Sequence, residues 1–417
     1  MINNKNIIDL DLCVIGAGPA GLAAATEAKR LGIKNVVVFD RDEKAGGILA
    51  QCIHPGFGLQ RFKEELTGPE YAHRELEAAL KQNVEIELNS MVIEIKPDGI
   101  IKVASAKGLK TYRCKSIILA MGCRERTRSN VRIPGTRPAG IFTAGKAQRL
   151  VNIEGFLPGR KAVIIGSGDI GMIMARRLIL EGCQVEAIIE INSYTSGLIR
   201  NEVQCIHDFN IPLLLSHQVT MIRGDQRVEE ITVAQRDSFG KIIPETEKQI
   251  ACDTILLSVG LIPENELSRN VGITIDNSTK GPLVDNFLAT DRANIFACGN
   301  VLHVNDLVDE VSFEGELAAK AVAAKLTGNI VKMAKEVKLT KGANIGQIVP
   351  QQLSYPIESR ISIRVKEPTG PTTVKIGEVL KKRLPFSRPG EMIVVKLTGA
   401  QIEELAKAGS SREVSVE

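Results

Sequence analysis

Two glycine fingerprints of the same shape lie 150 residues apart, Gly16-Ala17-Gly18-Pro19-Ala20-Gly21 and Gly166-Ser167-Gly168-Asp169-Ile170-Gly171, and each is followed by an acidic residue 24 positions after its first glycine. The first closes an apolar run over residues 10–15 and opens an Ala-rich stretch ending at Leu31, after which Val36-Val37-Val38-Phe39 leads into Asp40. The second follows Ala162-Val163-Ile164-Ile165 and opens a helical stretch reaching Glu181, then Val185-Glu186-Ala187-Ile188-Ile189 and Glu190. Both copies read as strand, tight turn, helix, strand, acid. In such a unit the first glycine permits the turn, the second lets the backbone approach a pyrophosphate, and the third lets helix and strand pack closely. The helix N-terminus then turns unpaired N–H groups toward the phosphates, and Asp40 and Glu190 can accept hydrogen bonds from ribose hydroxyls. A chain with this repeat is expected to hold two dinucleotides.

The repeat extends beyond the fingerprints. After the first comes a helical stretch over residues 70–82, then strand-like runs at 84–88, 91–95 and 100–104, read as a small inserted meander, leading into Ser116-Ile117-Ile118-Leu119-Ala120-Met121-Gly122. After the second come 218–222, 229–234 and then Asp253-Thr254-Ile255-Leu256-Leu257-Ser258-Val259-Gly260. A late strand ending in Phe296-Ala297-Cys298-Gly299-Asn300 and a helix over 311–326 have no counterpart in the second copy, so the chain is expected to return to its first domain. The fold class is therefore α/β: two nested doubly wound dinucleotide-binding domains with inserted β-meanders, plus a small C-terminal β-containing module. The boundaries are set at 1–125 with 268–330, 126–267, and 331–417.

At 417 residues, 44% hydrophobic and 24% charged, the chain has room for two or three domains. It carries no apolar run long enough to span a bilayer and no apolar signal core at its start, so a cytoplasmic location is the expectation. Eight cysteines form no C-x-x-C, and the five histidines form no ligand pair at helical spacing, so no protein-bound metal is expected. From residue 331 onward 15 Lys and Arg stand against 9 Asp and Glu, an excess larger than the whole chain's net charge of +4. With few aromatics beside it, this charge reads as a solvated face, not a nucleic-acid site.

Residues 8–330 resemble the two-dinucleotide-binding-domain flavoproteins of the pyridine nucleotide-disulfide oxidoreductase family, in particular its thioredoxin-reductase-like branch. The resemblance rests on the two fingerprints, Gly46-Gly47, the stretch from Ala120-Met121-Gly122 to Ile133-Pro134-Gly135, Ser258-Val259-Gly260-Leu261-Ile262-Pro263, and Ile295-Phe296-Ala297-Cys298-Gly299-Asn300, in the family's order. It implies FAD at the first fingerprint, on Gly16, Gly18, Pro19, Ala20 and Gly21, with Asp40 at the adenosine ribose and Arg41, Gly46, Gly47, Gln51, Val92, Ala120, Met121 and Gly122 as further cofactor-binding residues. Gly299 and Asn300 would meet the ribityl-pyrophosphate part, where the family usually has Asp. The start of the late helix, at Val311 and Ser312, would face the flavin's pyrimidine end and favour its anionic reduced form. At the second fingerprint it implies a nicotinamide nucleotide on Gly166, Gly168, Asp169, Ile170, Gly171, Glu190 and Gly260. NADH is preferred over NADPH because Glu190 would repel a 2′-phosphate and the next residues, Ile191-Asn192-Ser193-Tyr194, bring no cation, although Arg200 could fold back.

The family's disulfide relay has no counterpart here. After Gly46-Gly47 the chain reads Ile48-Leu49-Ala50-Gln51-Cys52-Ile53-His54-Pro55-Gly56-Phe57-Gly58, with one cysteine where one branch has two, and before the second fingerprint it reads Ile141-Phe142-Thr143-Ala144-Gly145-Lys146-Ala147-Gln148, without the C-x-x-C of the other branch. Exchange within the protein needs a resolving thiol beside the attacking one, so a disulfide substrate is not expected. Cys52 and His54 stay open between a thiolate near the flavin and a packed pair of loop residues, and neither is assigned a catalytic role. The loop at 46–61, with the second fingerprint and its helix, also resembles subunits of amine or opine dehydrogenases and of anaerobic glycerol-3-phosphate dehydrogenase, which work with a partner flavoprotein.

These expectations converge on an FAD-dependent NAD(P)H oxidoreductase that exchanges a hydride between nicotinamide and FAD, passing electrons to or from a partner subunit or a small acceptor. The rivals are an autonomous FAD-dependent dehydrogenase with its own organic substrate, such as an amine or glycerol 3-phosphate, and a non-catalytic FAD-containing interaction subunit. The partner is expected to be a dehydrogenase subunit or a second copy of the chain. Residues 122–133 and 260–263 are candidate hinges. In the tail, Arg360-Ile361-Ser362-Ile363-Arg364-Val365 alternates as a half-buried strand, Glu391 to Leu397 is a candidate to pair with it, and Lys381-Lys382-Arg383 lies between them. The tail either docks a partner or covers an edge of the FAD domain.

Overall fold

The computed structural model describes residues 7–329 and 331–417. It divides into two compact units, one made of the residues up to Cys123 and from Pro263 onward, the other of residues 124–262.

The first unit opens with β1 (Ile7–Ile15), α1 (Pro19–Arg30), β2 (Val36–Phe39), α2 (Gly68–Lys81), β3 (Glu85–Glu87), β4 (Ser90–Ile95), β5 (Ile100–Ser105) and β6 (Gly108–Leu119). The strands lie in the order β3-β2-β1-β6-β5-β4. The Val- and Ile-rich runs of β1, β2 and the end of β6 are fully buried, as parallel strands covered on both faces must be. Helix α1 starts with Pro19, which needs no N–H partner there, and its alanines let it lie close to the sheet. Helix α2 is started by a capping box between Thr67 and Glu70.

Two expectations are corrected here. The run at 84–88 is not part of the meander: β3 pairs in parallel with β2 as the edge of the main sheet. Nor is the meander a separate insertion, because β6 belongs to both parts. One edge of β6 pairs with β1 in parallel from Thr111 to Leu119, while the other is antiparallel to β5 over 108–113 and then parallel to a late strand over 117–119.

The second unit contains β7 (Cys123–Glu125, beginning at the unit boundary), α3 (Arg128–Val131), β8 (Ile141–Thr143), α4 (Ala144–Asn152), β9 (Lys161–Ile165), α5 (Asp169–Leu180), β10 (Gln184–Ile189), α6 (Ile199–Asn201), β11 (Leu213–Leu214), β12 (His217–Arg223), β13 (Glu230–Gln235), β14 (Lys248–Ala251), β15 (Thr254–Leu257) and β16 (Leu261–Pro263). Its parallel sheet has the order β11-β10-β9-β15-β8, and β12-β13-β14 form an antiparallel sheet of their own. Strands β7 and β16, the outgoing and returning crossings of the chain, pair as a two-stranded ribbon.

Back in the first unit come α7 (Glu266–Asn270), β17 (Ile295–Ala297), which pairs with β6, and α8 (Val308–Thr327). Helix α8 begins three residues before the expected Val311. Leu307 precedes it without a side-chain cap, and Asp309 and Glu310 in its first turn supply the negative charge that a helix N-terminus favours.

The tail forms β18 (Val337–Lys341), β19 (Ile345–Val349), β20 (Gln352–Leu353), β21 (Ser359–Val365), β22 (Thr372–Ile376), β23 (Leu380–Leu384), β24 (Ile393–Leu397), α9 (Gly399–Ala408) and β25 (Ser411–Val416). They make two sheets, β20-β18-β25-β22-β23 and β19-β21-β24, around a core that includes Val337, Ile361, Val374 and Ile402. The expected pairing of the 359–365 and 391–397 regions is present, antiparallel, with Ile361 opposite Val395. Within the first unit the tail is joined to the dinucleotide-binding part by Asn286, whose amide donates to the Tyr355 carbonyl and Ser359 Oγ and whose Oδ1 accepts the Ser354 and Tyr355 N–H groups. Arg360 pairs with Glu310, and Arg364 with Asp306. No helix among the described residues is long and apolar enough to cross a membrane.

Candidate dinucleotide-binding sites

The first fingerprint joins β1 to α1, and its three glycines stand in different surroundings. A Cβ on Gly16, at φ +109°, would run into the Ala120 carbonyl, and one on Gly21 would run into the Gly16 carbonyl, so both are demanded by packing. A Cβ on Gly18 would meet nothing within 4 Å. The backbone is therefore bare where a phosphate would approach, and no side chain caps the start of α1. Asp40, at the end of β2, accepts the Ala17 N–H at 2.6 Å through one oxygen and the Asp42 N–H at 2.9 Å through the other. A carboxylate has about four lone-pair positions, so capacity for ribose hydroxyls remains.

Other expected residues converge on this turn. The Gly46 N–H donates to the Ala17 carbonyl at 2.8 Å, and a Cβ on Gly47 would stand 3.1 Å from Gly18 Cα. Gly299, at φ +71°, packs so closely that a Cβ would lie 2.9 Å from Ala20 Cβ and 3.2 Å from Val311. Its N–H donates to Glu314 at 2.6 Å, and the other oxygen of Glu314 is 2.7 Å from Nε2 of buried His303. Asn300 accepts the Asn305 N–H through its side-chain oxygen and turns its amide toward Cys123 Sγ at 3.7 Å. Ala120 is buried beside the turn, with Met121 and Gly122 half-buried after it, and Arg41 is exposed beyond Asp40. The residue types and the open backbone fit FAD.

Two expected residues are placed differently, and a third, Gln51, is simply buried. The Val92 side chain belongs to the core of the sheet, so only its backbone is available to a ligand. Ser312 sits in the second turn of α8, fully buried, with its hydroxyl 2.8 Å from that of Tyr71. It belongs to a network in which Arg61 binds Glu75 and Glu316. Burial opposes charge on Arg61, but the two carboxylates more than offset it and hold its pKa above the ordinary value. Gln51 is buried beside Cys52.

Cys52 is also buried, its thiol 3.4 Å from the Ile48 carbonyl, and burial pushes its pKa up to about 12. At neutral pH it is a thiol, not the thiolate that redox chemistry needs. The His54 ring lies 5.0 Å from that of Phe57, and its Nδ1 is 3.1 Å from the Pro55 carbonyl. None of the eight cysteines is in a disulfide, and no group of three or more potential metal ligands occurs among the described residues.

The second fingerprint joins β9 to α5. Gly166, at φ +92°, faces the Ser258 carbonyl, and Gly171 packs on Ser258, where a Cβ would stand 2.6 Å from its Cβ. The Gly171 N–H donates to Ser258 Oγ at 3.1 Å. In the sequence Ser258 is only one letter of a motif; the register that sets β15 beside β9 supplies its role. Gly260 is at φ +98°, and its carbonyl accepts the Arg126 N–H at 3.0 Å. Asp169 accepts the Leu198 N–H at 2.8 Å and the Asn201 amide at 2.6 Å. Glu190 is buried and binds Ser167, Asn192 and Ser196. The motif is complete, but residues of this chain already lie on it.

Residues 10–324 match the profile of the pyridine nucleotide-disulphide oxidoreductase family. The chain belongs to that family. It is a family of oxidoreductases that bind FAD and use NAD(P)H. The chain is 25% identical over 338 residues to one of the subunits of the opine oxidase of Agrobacterium tumefaciens, covering 76% of this chain and 66% of the relative. It is 26% identical over 305 residues to an NAD(P)H sulfur oxidoreductase (CoA-dependent) of Pyrococcus abyssi, covering 71% of this chain and 63% of that one. The chain thus spans slightly less than two thirds of these relatives' length. Among solved structures it is similar to the thioredoxin reductase of T. acidophilum, with a TM-score of 0.63 and 26% identity over 76% of this chain and 99% of that one. The expected thioredoxin-reductase-like architecture is present, and the resemblance to an opine-oxidising protein has a counterpart among the relatives.

Proposed function

We propose that this chain carries FAD on its first fingerprint and exchanges a hydride between that flavin and NADH, passing the electrons to or from a second subunit or a small acceptor without a redox disulfide. The observation that carries this reading is the cleared space over Gly18, with Asp40, Gly46, Gly47 and Gly299 gathered around it. FAD, when bound, supplies the two-electron chemistry. The chain's part is to bind and orient: α1 offers uncapped N–H groups, Asp40 offers lone pairs, and Gly299 is fixed by Glu314 and His303. No side chain need move a proton. A buried thiol with a pKa of about 12 supports a path that does not run through Cys52.

NADH is chosen over NADPH because Glu190 is acidic and residues 191–194 contain no Lys or Arg. A partner subunit is supported by the relative from Agrobacterium tumefaciens, which is named as part of an opine oxidase. Anaerobic titration of the purified chain with NADH, alone and with any co-purifying chain, tests the proposal. The yellow flavin absorbance is expected to bleach stoichiometrically. A chain that takes up no FAD, or whose FAD is untouched by saturating NADH, overturns it.

A further inference from the structure

The two fingerprints share their sequence shape but not their surroundings: at the second, the side chains of Ser167, Asn192 and Ser196 add donors to the acidic residue, and residues 196–198 also cross the helix start. At the first, Asp40 is half-buried and holds two backbone N–H groups. At the second, Glu190 is 3% exposed and receives five donors. Its Oε2 accepts the Ser167 N–H at 3.0 Å, the Ser167 hydroxyl at 2.5 Å and the Ser196 hydroxyl at 2.9 Å. Its Oε1 accepts the backbone and side-chain N–H groups of Asn192, both at 2.9 Å. With about four lone-pair positions on a carboxylate, five donors leave no place for a ribose diol; lifting Ser196 removes one, and the Ser167 hydroxyl and Asn192 amide are side-chain donors that a ribose hydroxyl replaces when they rotate away.

Residues 196–198 also lie across the start of α5. The Ser196 N–H donates to Ser167 Oγ at 2.8 Å, and the Leu198 N–H donates to Asp169 Oδ1 at 2.8 Å. Between them Gly197 approaches so closely that a Cβ would stand 2.7 Å from Asp169 Oδ1 and 2.9 Å from the Asp169 backbone nitrogen. Asp169 itself adds a negative charge at the helix start, where a pyrophosphate would otherwise be favoured.

We propose that residues 196–198 form a strap that stands in for the ribose and phosphates of the nicotinamide nucleotide, which binds only when the strap is displaced. The inference rests on the NADH reading above and adds its regulation. The Ser196 hydroxyl takes the place of a ribose hydroxyl on Glu190, and the Asp169 carboxylate takes the place of phosphate charge. Apparent affinity is the intrinsic affinity scaled by the fraction of molecules with the strap lifted, so whatever loosens the strap tightens NADH binding.

The test compares the full-length, FAD-loaded chain with Ser196→Ala and Gly197→Ala, reading the NADH dissociation constant by titration and amide hydrogen exchange at positions 196 and 198. Ser196→Ala removes one strap bond that the nucleotide complex does not use and is expected to tighten binding by about tenfold. Gly197→Ala, which cannot sit against Asp169, is expected to tighten it further and to speed exchange at Ser196 and Leu198 without nucleotide. In the unmodified chain NADH is expected to speed exchange at the same two amides. Equal affinity in all three proteins, binding to none of them, or exchange indifferent to NADH overturns the strap. Failure of the hydride reading is distinct: NADH then binds, lifts the strap and tightens in the variants, yet leaves the flavin oxidised.

Discussion

At the scale of single residues, the first fingerprint separates two glycines that packing demands from one that packing does not. Gly21→Ala drives a methyl group into the Gly16 carbonyl and toward Val14. It is expected to cost at least about 1–3 kcal/mol of stability, measurable by denaturant unfolding. Gly18→Ala meets no protein atom within 4 Å and is expected to leave the apoprotein's stability nearly unchanged while weakening FAD retention. The flavin-to-protein ratio after gel filtration checks this. Cys52 gives a pH-dependent test. Alkylation needs the thiolate, and burial has raised the folded pKa from 9.0 to about 12, so reactivity is suppressed below that value. The rate with iodoacetamide is expected to climb about tenfold per pH unit from pH 7 to 11 without a plateau. Cys52→Ser is expected to leave NADH-driven flavin reduction intact; a loss of turnover would restore the redox reading. Asp40 and Glu190 were legible because the distance from glycine turn to following strand end is fixed by one helix and one strand. Ser196 and Ser258 were not, since their partners come from a loop's path and from the register of a distant strand.

At the scale of elements, the sequence marks what local chemistry decides and blurs what tertiary pairing decides. Helix α2 announces itself through Thr67 and Glu70, and Thr67→Ala is expected to cost about 1 kcal/mol by removing the hydroxyl that accepts the Glu70 N–H, read as a lower unfolding midpoint. The start of α8 carries no Ser, Thr, Asp or Asn cap, which is why Val311 was mistaken for its beginning. The run around Glu85–Glu87 has the composition of a meander strand, and only its position after α2 makes it a parallel edge beside β2. The double role of β6 is equally hidden. Its polar first half and apolar second half are visible, but the exchange of its neighbour from β5 to β17 joins segments far apart in sequence. In the tail the alternation of β21 was legible, because Ile361, Ile363 and Val365 all face the tail's own core.

At the scale of the whole molecule, the tail is not simply appended. Val349 lies in the same core cluster as β1 and β6, and Asn286, 2% exposed, holds four groups of the 354–359 segment. Asn286→Ala removes these bonds and strands buried polar groups. It is expected to lower stability by at least about 2 kcal/mol in equilibrium unfolding. A chain ended after Gly328 is expected to lose FAD on purification, the outcome of a cover; retention of flavin with loss only of a co-purifying chain would favour a docking role. The repeat of glycine turns made the two-unit plan readable, whereas the tail offers no motif and its seat depends on side chains of the 285–310 region. The placement of β17 also bears on biosynthesis. The sheet that β1 begins is closed only by Ile295–Ala297, while the inserted unit is contiguous and complete once Ile262 has left the ribosome exit tunnel. The domain in the middle can therefore mature while the older N-terminal segment still waits for its last strand, open to chaperones and to capture of its cofactor.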